Sequence, residues 1–317
     1  MKVLVTGGAG FIGSHVVERL IEEDNDVTVL DNMSSGKLTN LNHYQSDNKL
    51  RIEVGDIRNT KLVSKCVASA DSVVHLAAIT NSPDQGEKLL NLTDTNVTGT
   101  VNLLQAARLG SVERFILASS AAVYGNSKSF PLSERSRTSA LSPYGASKIA
   151  SEQYCHSFRE EFGVNAISLR FFNVYGPRQL PNGDGAVIPQ FMSRLVQRLP
   201  PEIFGDGRQT RDFVYVSDVV ECIVRILRSK TGEEVLNVGS GKPVTINRLA
   251  SVMSRIVGSS AKPIHKAPQR GEIRDSYAST ARTFESIDFR PRISLKRGLS
   301  LLVQSYNGSG FLKEPLA

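Results

Sequence analysis

Cysteine is scarce in this chain. Cys66, Cys155 and Cys222 stand far apart, without the close spacing of a metal site or a redox pair. Such usage is that of a protein kept in a reducing compartment, and the expected location is the cytoplasm. No window approaches the roughly eighteen consecutive apolar residues of a membrane span. The N-terminus enters a strand pattern at once, which leaves no room for a signal peptide. Internal repeats and low-complexity linkers are missing as well. So is any block of one charge: 38 Lys+Arg against 31 Asp+Glu give a net charge of +7, but the basic residues are scattered. No nucleic-acid motif accompanies them, so the charge does not point to a nucleic-acid partner.

What is present begins immediately. Lys2-Val-Leu-Val-Thr6 is a short Val-rich run of the buried parallel-strand type, and it leads into Gly7-Gly-Ala-Gly10-Phe-Ile-Gly13. Glycines at i, i+3 and i+6 let the chain turn tightly into a helix beginning near Gly10. Such a turn aims unpaired N–H groups and the positive helix end at a phosphate. Gly10 admits a pyrophosphate to the backbone, and Gly13 lets the helix pack close to the strand. A second strand, Asp26 to Leu30, ends in Asp31, eighteen residues after Gly13. An acidic residue there accepts both ribose hydroxyls of NAD and repels the 2′-phosphate of NADP.

With 317 residues and 40% hydrophobic content, the chain has enough for one big or two modest domains. Strand patterns at 51–55, 72–76, 113–119 and 164–171 alternate with helical ones, including Val101, Leu104 and Ala107 at helical spacing and a long helix over 143–162. That rhythm predicts an α/β fold, a Rossmann-like doubly wound parallel sheet over residues 1–172, with ligands at the carboxyl ends of its strands. From 173 the rhythm changes to Gly/Pro/Asn-rich loops, helices near 185–198, 217–229 and 245–257, and short strands around 211–216 and 234–238. Residues 173–317 therefore read as a smaller α/β substrate-binding lobe, partly interleaved with the first. The tail from Tyr306 reads as frayed.

Pro143-Tyr144-Gly-Ala-Ser-Lys148 opens the long helix. Residues four apart share a helix face, so the Lys148 ammonium lies near the Tyr144 phenol. A neighbouring cation favours the phenolate, giving a tyrosine able to act as a base near neutral pH. Lys148 is also placed to hydrogen-bond the nicotinamide ribose. Upstream, Ser119 and Ser120 end the fifth strand at the edge where the glycine turn delivers the cofactor. A serine there hydrogen-bonds the alcohol being oxidised and relays its proton to Tyr144.

These motifs make the chain resemble the extended short-chain dehydrogenases/reductases, most closely the UDP-glucose (UDP-galactose) 4-epimerase family. The likeness covers essentially the whole chain and rests on Thr6-Gly-Gly-Ala-Gly-Phe-Ile-Gly13, Asp31-Asn-Met-Ser-Ser-Gly36, Gly55-Asp-Ile57, His75-Leu-Ala-Ala78, Asn96-Val-x-Gly99-Thr, Ser119-Ser-Ala-Ala-Val-Tyr-Gly125, Tyr144-x-x-x-Lys148 and Arg170-Phe-Phe-Asn-Val-Tyr-Gly-Pro-Arg178. The resemblance implies NAD held by Gly7, Gly10, Phe11, Ile12 and Gly13. Asp31 and Asn32, with the Ser34-Ser35-Gly36 loop, would hold the adenosine ribose. Asp56 and Ile57 would flank the adenine, Leu76, Ala77 and Ala78 would line the cofactor, Asn96 would brace that edge, and Ser119, Tyr144 and Lys148 would touch the cofactor. It also implies a nucleotide-sugar diphosphate on Asn173, Arg211 and Arg270, the guanidinium forks suiting phosphate. His75 reads as a packed strand residue, and nothing in the pattern implies a metal.

Ser119-Ser120-Ala121 stands where related dehydratases carry Thr-Asp-Glu and related decarboxylases a glutamate, so hydride shuttling without dehydration or decarboxylation is implied. Tyr144, assisted by Ser120, would take the proton from the sugar 4-hydroxyl as C4 is oxidised. The 4-keto sugar would rotate, and reduction on the opposite face would invert C4. UDP-galactose/UDP-glucose is the implied pair. An ungapped match puts Ser276 near the sugar C2 substituent, which leaves space for the N-acetylhexosamines; a slip of one residue would put Tyr277 there and close it. A UDP-glucuronate 4-epimerase and a net NAD-dependent nucleotide-sugar oxidoreductase remain as alternatives. A non-catalytic NAD-binding module would typically lack the Tyr144/Lys148 pair. In the family, helices matching 94–108 and 143–162 form an intersubunit four-helix bundle, which implies a homodimer.

Overall fold

The computed structural model describes residues 1–80, 87–110, 112–179, 186–268 and 273–308. The first half runs β1 (Lys2–Thr6), α1 (Phe11–Glu22), β2 (Asp26–Asp31), a 3₁₀ segment (Leu38–Tyr44), β3 (Leu50–Val54), α2 (Thr60–Val67) and β4 (Ser72–His75). Next come α3 (Glu87–Thr93), one π turn (Asp94–Thr98), α4 (Gly99–Leu109), β5 (Arg114–Ser120), a 3₁₀ turn (Ala121–Tyr124), α5 (Pro143–Phe162) and β6 (Ala166–Phe171). The second half adds β7 (Asn173–Tyr175), α6 (Val187–Val196), β8 (Glu202–Phe204), β9 (Thr210–Tyr215), α7 (Val216–Arg228) and β10 (Val235–Val238). It closes with β11 (Pro243–Thr245), α8 (Ile246–Val257), β12 (Ile264–Lys266), α9 (Ala281–Ile287) and α10 (Leu295–Gly308).

Seven parallel strands form the central sheet in the order β10-β6-β5-β4-β1-β2-β3. Both faces are buried, and the alternation of side chains along each strand feeds two cores. Val3 and Val5 pack on one side with Val16, Val17 and Leu20 of α1. Leu4 packs on the other with Val63 of α2 and Leu103 and Leu104 of α4. The strand order reverses between β1 and β4, so a crevice opens at their carboxyl ends.

Sequence chemistry sets the helix that flanks this crevice. The Ser142 side chain caps α5 by accepting from the Gly145 N–H at 3.1 Å, Pro143 occupies the first turn, and Gly163 ends the helix at φ 70°. Tyr144 is thereby fixed in the first turn of α5. After β6 the chain leaves the central sheet. Strand β7 pairs in parallel with β9, β9 pairs antiparallel with β11, and β8 and β12 form a separate two-stranded sheet. Strand β10, far along the second half, returns to pair with β6.

The strands expected at 51–55, 72–76, 113–119 and 164–171 lie within two residues of β3, β4, β5 and β6, and the helices expected near 185–198, 217–229 and 245–257 match α6, α7 and α8. The tail read as frayed is described only to residue 308, and 309–317 lie outside the described residues. Tyr306 sits inside α10 and packs against the core, because Leu299 and Leu302 anchor that helix. Among the described residues no helix is long and apolar enough to cross a membrane.

Candidate active site

The glycine turn works by close approach. Gly7 has φ 70°, a region that favours glycine, and a Cβ at Gly13 would stand 2.1 Å from the Gly7 carbonyl oxygen. Gly10 is the N-cap of α1 with no side-chain cap bond, and the first turn of the helix carries no acid. Its end N–H groups are left to an anion. At the tip of β2 the buried Asp31 carboxylate accepts from the Ala9 N–H at 3.0 Å and the Met33 N–H at 2.8 Å. Two oxygens offer about four acceptor directions, so about two remain toward the crevice.

The catalytic candidates meet on the opposite lip. Lys148 is buried one turn into α5 from Tyr144, its Nζ 5.8 Å from the centre of the phenol ring. Nζ donates to the Ala118 carbonyl at 2.8 Å, and burial pushes its pKa down to about 8. Ser120 is half-buried, and its Oγ accepts from the Ala122 N–H at 3.2 Å, which starts the 3₁₀ turn. Its own O–H stays available as a donor. Ser119 also lines the crevice, but its hydroxyl turns inward and donates to the Glu152 carboxylate.

One cleft of about 910 Å³ joins the two lips. Of the expected cofactor residues, Gly7, Gly10, Phe11, Ile12, Gly13, Asp31, Asn32, Ser34, Ser35, Ile57, Leu76, Ala77, Ala78, Ser119, Tyr144 and Lys148 all line it. Gly36, Asp56 and Asn96 stand behind the wall. A Cβ at Gly36 would press on Asp31 at 2.8 Å. Asp56 binds Arg58 and accepts from Asn32 at 3.1 Å, and the Arg58 bonds hold its pKa down at about 2. The Asn96 amide donates to the Ile79 carbonyl at 2.9 Å and accepts from the Ile79 N–H at 2.8 Å. It also donates to Ser147 Oγ at 2.9 Å, tying that wall to α5.

Of the expected diphosphate and sugar contacts, Ser120 and Tyr144 line this cleft, while Asn173, Arg211 and Ser276 do not. The Asn173 amide donates to the Asp212 carbonyl at 3.1 Å, and Arg211 Nη1 donates to the Thr210 carbonyl at 2.8 Å. Ser276 is buried, while the Tyr277 ring stacks on Phe130 at 5.3 Å between centres. Arg270 lies outside the described residues. His75 is a packed residue, bonded between Thr6 (2.7 Å) and Thr100 (2.9 Å) and held neutral, its pKa driven down to about 3 by burial. Among the described residues, one compact set of metal-type donors occurs, His156, Glu160 and Glu234. It is an ion-pair group, with His156 2.8 Å and Arg159 3.9 Å from Glu234 oxygens.

Several cleft residues were given no role in the sequence, although Arg178 closes the motif that begins at Arg170. Arg178 adopts φ 68°, which a non-glycine residue holds only under constraint. Its guanidinium donates to Glu18 (2.9 Å) and Ser14 (3.2 Å), and His15 Nε2 donates to the Pro177 carbonyl at 3.1 Å. These bonds bolt the loop after β7 onto α1. Gln179 and Tyr306 also line the cleft.

The residues present fit a dinucleotide. The turn at Gly7–Gly13 is a cradle that added Cβ atoms would fill, and Asp31 supplies ribose acceptors without a nearby cation for a 2′-phosphate among its bonded groups. In addition, the buried Gln179 Oε1 has no hydrogen-bond partner among the described residues, as expected of an acceptor awaiting a ligand donor.

Comparison with known proteins agrees with this geometry. The UDP-glucose 4-epimerase of Mycolicibacterium smegmatis is 35% identical over 309 residues, 96% of this chain and 98% of that protein. The crystal structure of UDP-glucose 4-epimerase from Thermotoga maritima with UDP-glucose is 35% identical, with a TM-score of 0.92 and coverage of 98% of this chain and 99% of that one. UDP-glucuronic acid 4-epimerase from Bacillus cereus, in complex with UDP-glucuronic acid and NAD, is 31% identical, with a TM-score of 0.91 over 98% of this chain and 100% of that one. The sequence profile of the NAD dependent epimerase/dehydratase family matches residues 3–239. This chain belongs to the NAD dependent epimerase/dehydratase family.

Proposed function

We propose that the chain inverts C4 of a UDP-hexose by transient oxidation with NAD, interconverting UDP-galactose and UDP-glucose. The observation that carries this reading is the single cleft with a glycine turn and Asp31 on one lip and Ser120, Tyr144 and Lys148 on the other. When bound there, NAD supplies a reversible hydride acceptor. Gly7 to Gly13 hold its pyrophosphate, Asp31 and Asn32 its adenosine ribose, and Ile57 its adenine. Tyr144 removes the proton from the sugar 4-hydroxyl and later returns it, while the Ser120 O–H orients that oxygen. Lys148, locked on the Ala118 carbonyl, keeps a positive charge near the phenol and favours its ionised form. Residues 1–172 form the NAD-binding unit and 173–317 the nucleotide-sugar unit, in which Asn173, Arg211 and Arg270 take the diphosphate once it is bound.

Small Ser276, with the Tyr277 ring occupied by Phe130, supports acceptance of N-acetylhexosamines as well. The reaction is placed in a cytoplasm, and α4 and α5, which expose Leu109 and Tyr154, form a homodimer contact. The test compares initial rates on UDP-galactose, UDP-N-acetylgalactosamine and UDP-galacturonate for the native chain and Tyr144→Phe. Turnover of the neutral sugars that disappears in Tyr144→Phe is expected. Preference for the acid would give the UDP-glucuronate 4-epimerase, and steady NADH accumulation would give a net oxidoreductase.

A further inference from the structure

We propose that Glu152 is a positioning residue for this reaction, an inference that rests on the reading above: paired with Arg170, it fixes the end of β5 that holds Lys148 and presents Ser120. Glu152 lies one turn beyond Lys148 on α5, and it is buried with its partner, each side chain 6% exposed. Arg170 donates to it through two nitrogens, Nε to Oε1 at 3.0 Å and, more weakly, to Oε2 at 3.3 Å, and Nη2 to Oε2 at 2.7 Å. A further bond comes from the Ser119 hydroxyl. Three consecutive residues of β5 thus have separate tasks. The Ala118 carbonyl holds Lys148, Ser119 holds Glu152, and Ser120 faces the cleft.

A buried ion pair is poor evidence of stability, since well-packed apolar residues often do as well or better. This pair therefore needs another reason to exist, and its neighbours supply one. From Arg170, Nη1 donates to the Tyr124 hydroxyl at 3.0 Å, and that hydroxyl donates to Asn237 Oδ1 at 2.6 Å. The Asn237 amide holds the Leu132 carbonyl at 2.9 Å, and Leu132 accepts from the Ser279 N–H at 2.7 Å and donates to the Tyr277 carbonyl at 2.9 Å. One buried polar chain runs from the catalytic strand end to the segment carrying Ser276 and Tyr277.

Glu152 also acts on Lys148 by charge. The ionisable groups facing Lys148 are Tyr144, Glu152 and Cys155 from α5 and His75 from β4, with Arg170 of β6 behind Glu152. Burial pulls the Lys148 pKa down to about 8, and Glu152 is the first opposing influence. Without that carboxylate the desolvation acts with less opposition, so the ammonium loses its proton at lower pH.

The experiment uses Glu152→Gln and, because that change leaves Arg170 buried and unpaired, the double variant Glu152→Gln/Arg170→Gln. Lysine labelled at 13Cε gives an NMR titration of Lys148 in the full chain, assigned by the signal lost in Lys148→Arg. Melting temperature and pH–rate profiles are recorded beside it. The expected result is a Lys148 midpoint lowered by about one pH unit in whichever variants fold, with the alkaline limb of kcat moving the same way and KM for the UDP-sugar little changed. An unmoved midpoint with only a lower melting temperature would overturn the positioning role. The NMR readout does not depend on turnover, so a chain inactive on UDP-sugars would sink the functional reading while leaving this titration to be judged by itself.

Discussion

Asp31→Asn tests the carboxylate proposed to select NAD apart from the rest of the cleft. The native carboxylate accepts from the Ala9 N–H at 3.0 Å and the Met33 N–H at 2.8 Å, and its remaining acceptor directions are those proposed for the ribose. Asparagine keeps the shape but replaces one oxygen by a donor amide. If the oxygen stays on one backbone N–H, the amide faces the other, which loses its partner at a cost of about 1–3 kcal/mol to the fold. The ribose loses one hydrogen bond to a charged acceptor, about 1.5–3 kcal/mol, or a roughly 10- to 150-fold weaker Kd for NAD. Repulsion of a 2′-phosphate disappears with the charge, so NADP should lose less affinity than NAD, or gain. Calorimetric titration of nucleotide-stripped protein with both cofactors measures this directly, with a urea melt to read the fold term. NAD binding as tight as native, with NADP still rejected, would refute the assignment of Asp31 to the ribose.

Gly13→Ala should abolish tight NAD binding and cost about 1–3 kcal/mol of stability, since the new Cβ meets the Gly7 carbonyl oxygen at 2.1 Å; retained nucleotide after gel filtration would contradict it. His75, neutral in the fold with a pKa near 3, takes up its proton in the unfolded chain near 6.5. Its contribution to stability is therefore complete above about pH 6.5 and lost toward pH 3, at up to about 1.4 kcal/mol per pH unit. Urea melts of native and His75→Asn protein between pH 4 and 7 should diverge in slope by that amount. Lys148, with a pKa of about 8, keeps its ammonium below that value and loses it above, so turnover should fall on the alkaline side, and Lys148→Met should lack that limb as well as most activity.

The fold was legible because its strands are short, Val-rich and regularly spaced, and because Gly7, Gly10 and Gly13 mark a turn whose sterics allow little else. The place of Asp31 at the cleft was legible for a related reason: it ends the strand that runs beside the glycine turn. Tyr144 and Lys148 followed from helical spacing. Other residues act through the third dimension and left no local trace. Glu152 reads in sequence as one more helix glutamate, and only the packing of β6 against β5 brings Arg170 and Ser119 to it. His15 meets the Pro177 carbonyl and Arg178 meets Glu18, each more than 150 residues away in sequence, because the loop after β7 folds back on α1. Tyr306 falls next to an Asn-Gly-Ser-Gly stretch that reads as a loose end, yet the apolar stripe of α10 carries it onto the cleft. Asn173 and Arg211 sit on the paired strands β7 and β9, where each donates to a backbone carbonyl, so spacing alone did not give their orientation.

The central claim is that C4 is oxidised and reduced within one turnover by a cofactor that stays bound. Incubation of the purified chain, with no added nucleotide cofactor, with UDP-galactose deuterated at C4 tests it most directly. The account predicts UDP-glucose that keeps its deuterium at C4, with no build-up of NADH absorbance. Loss of the label to solvent, or conversion only when NAD is supplied continuously and NADH is released, would contradict it.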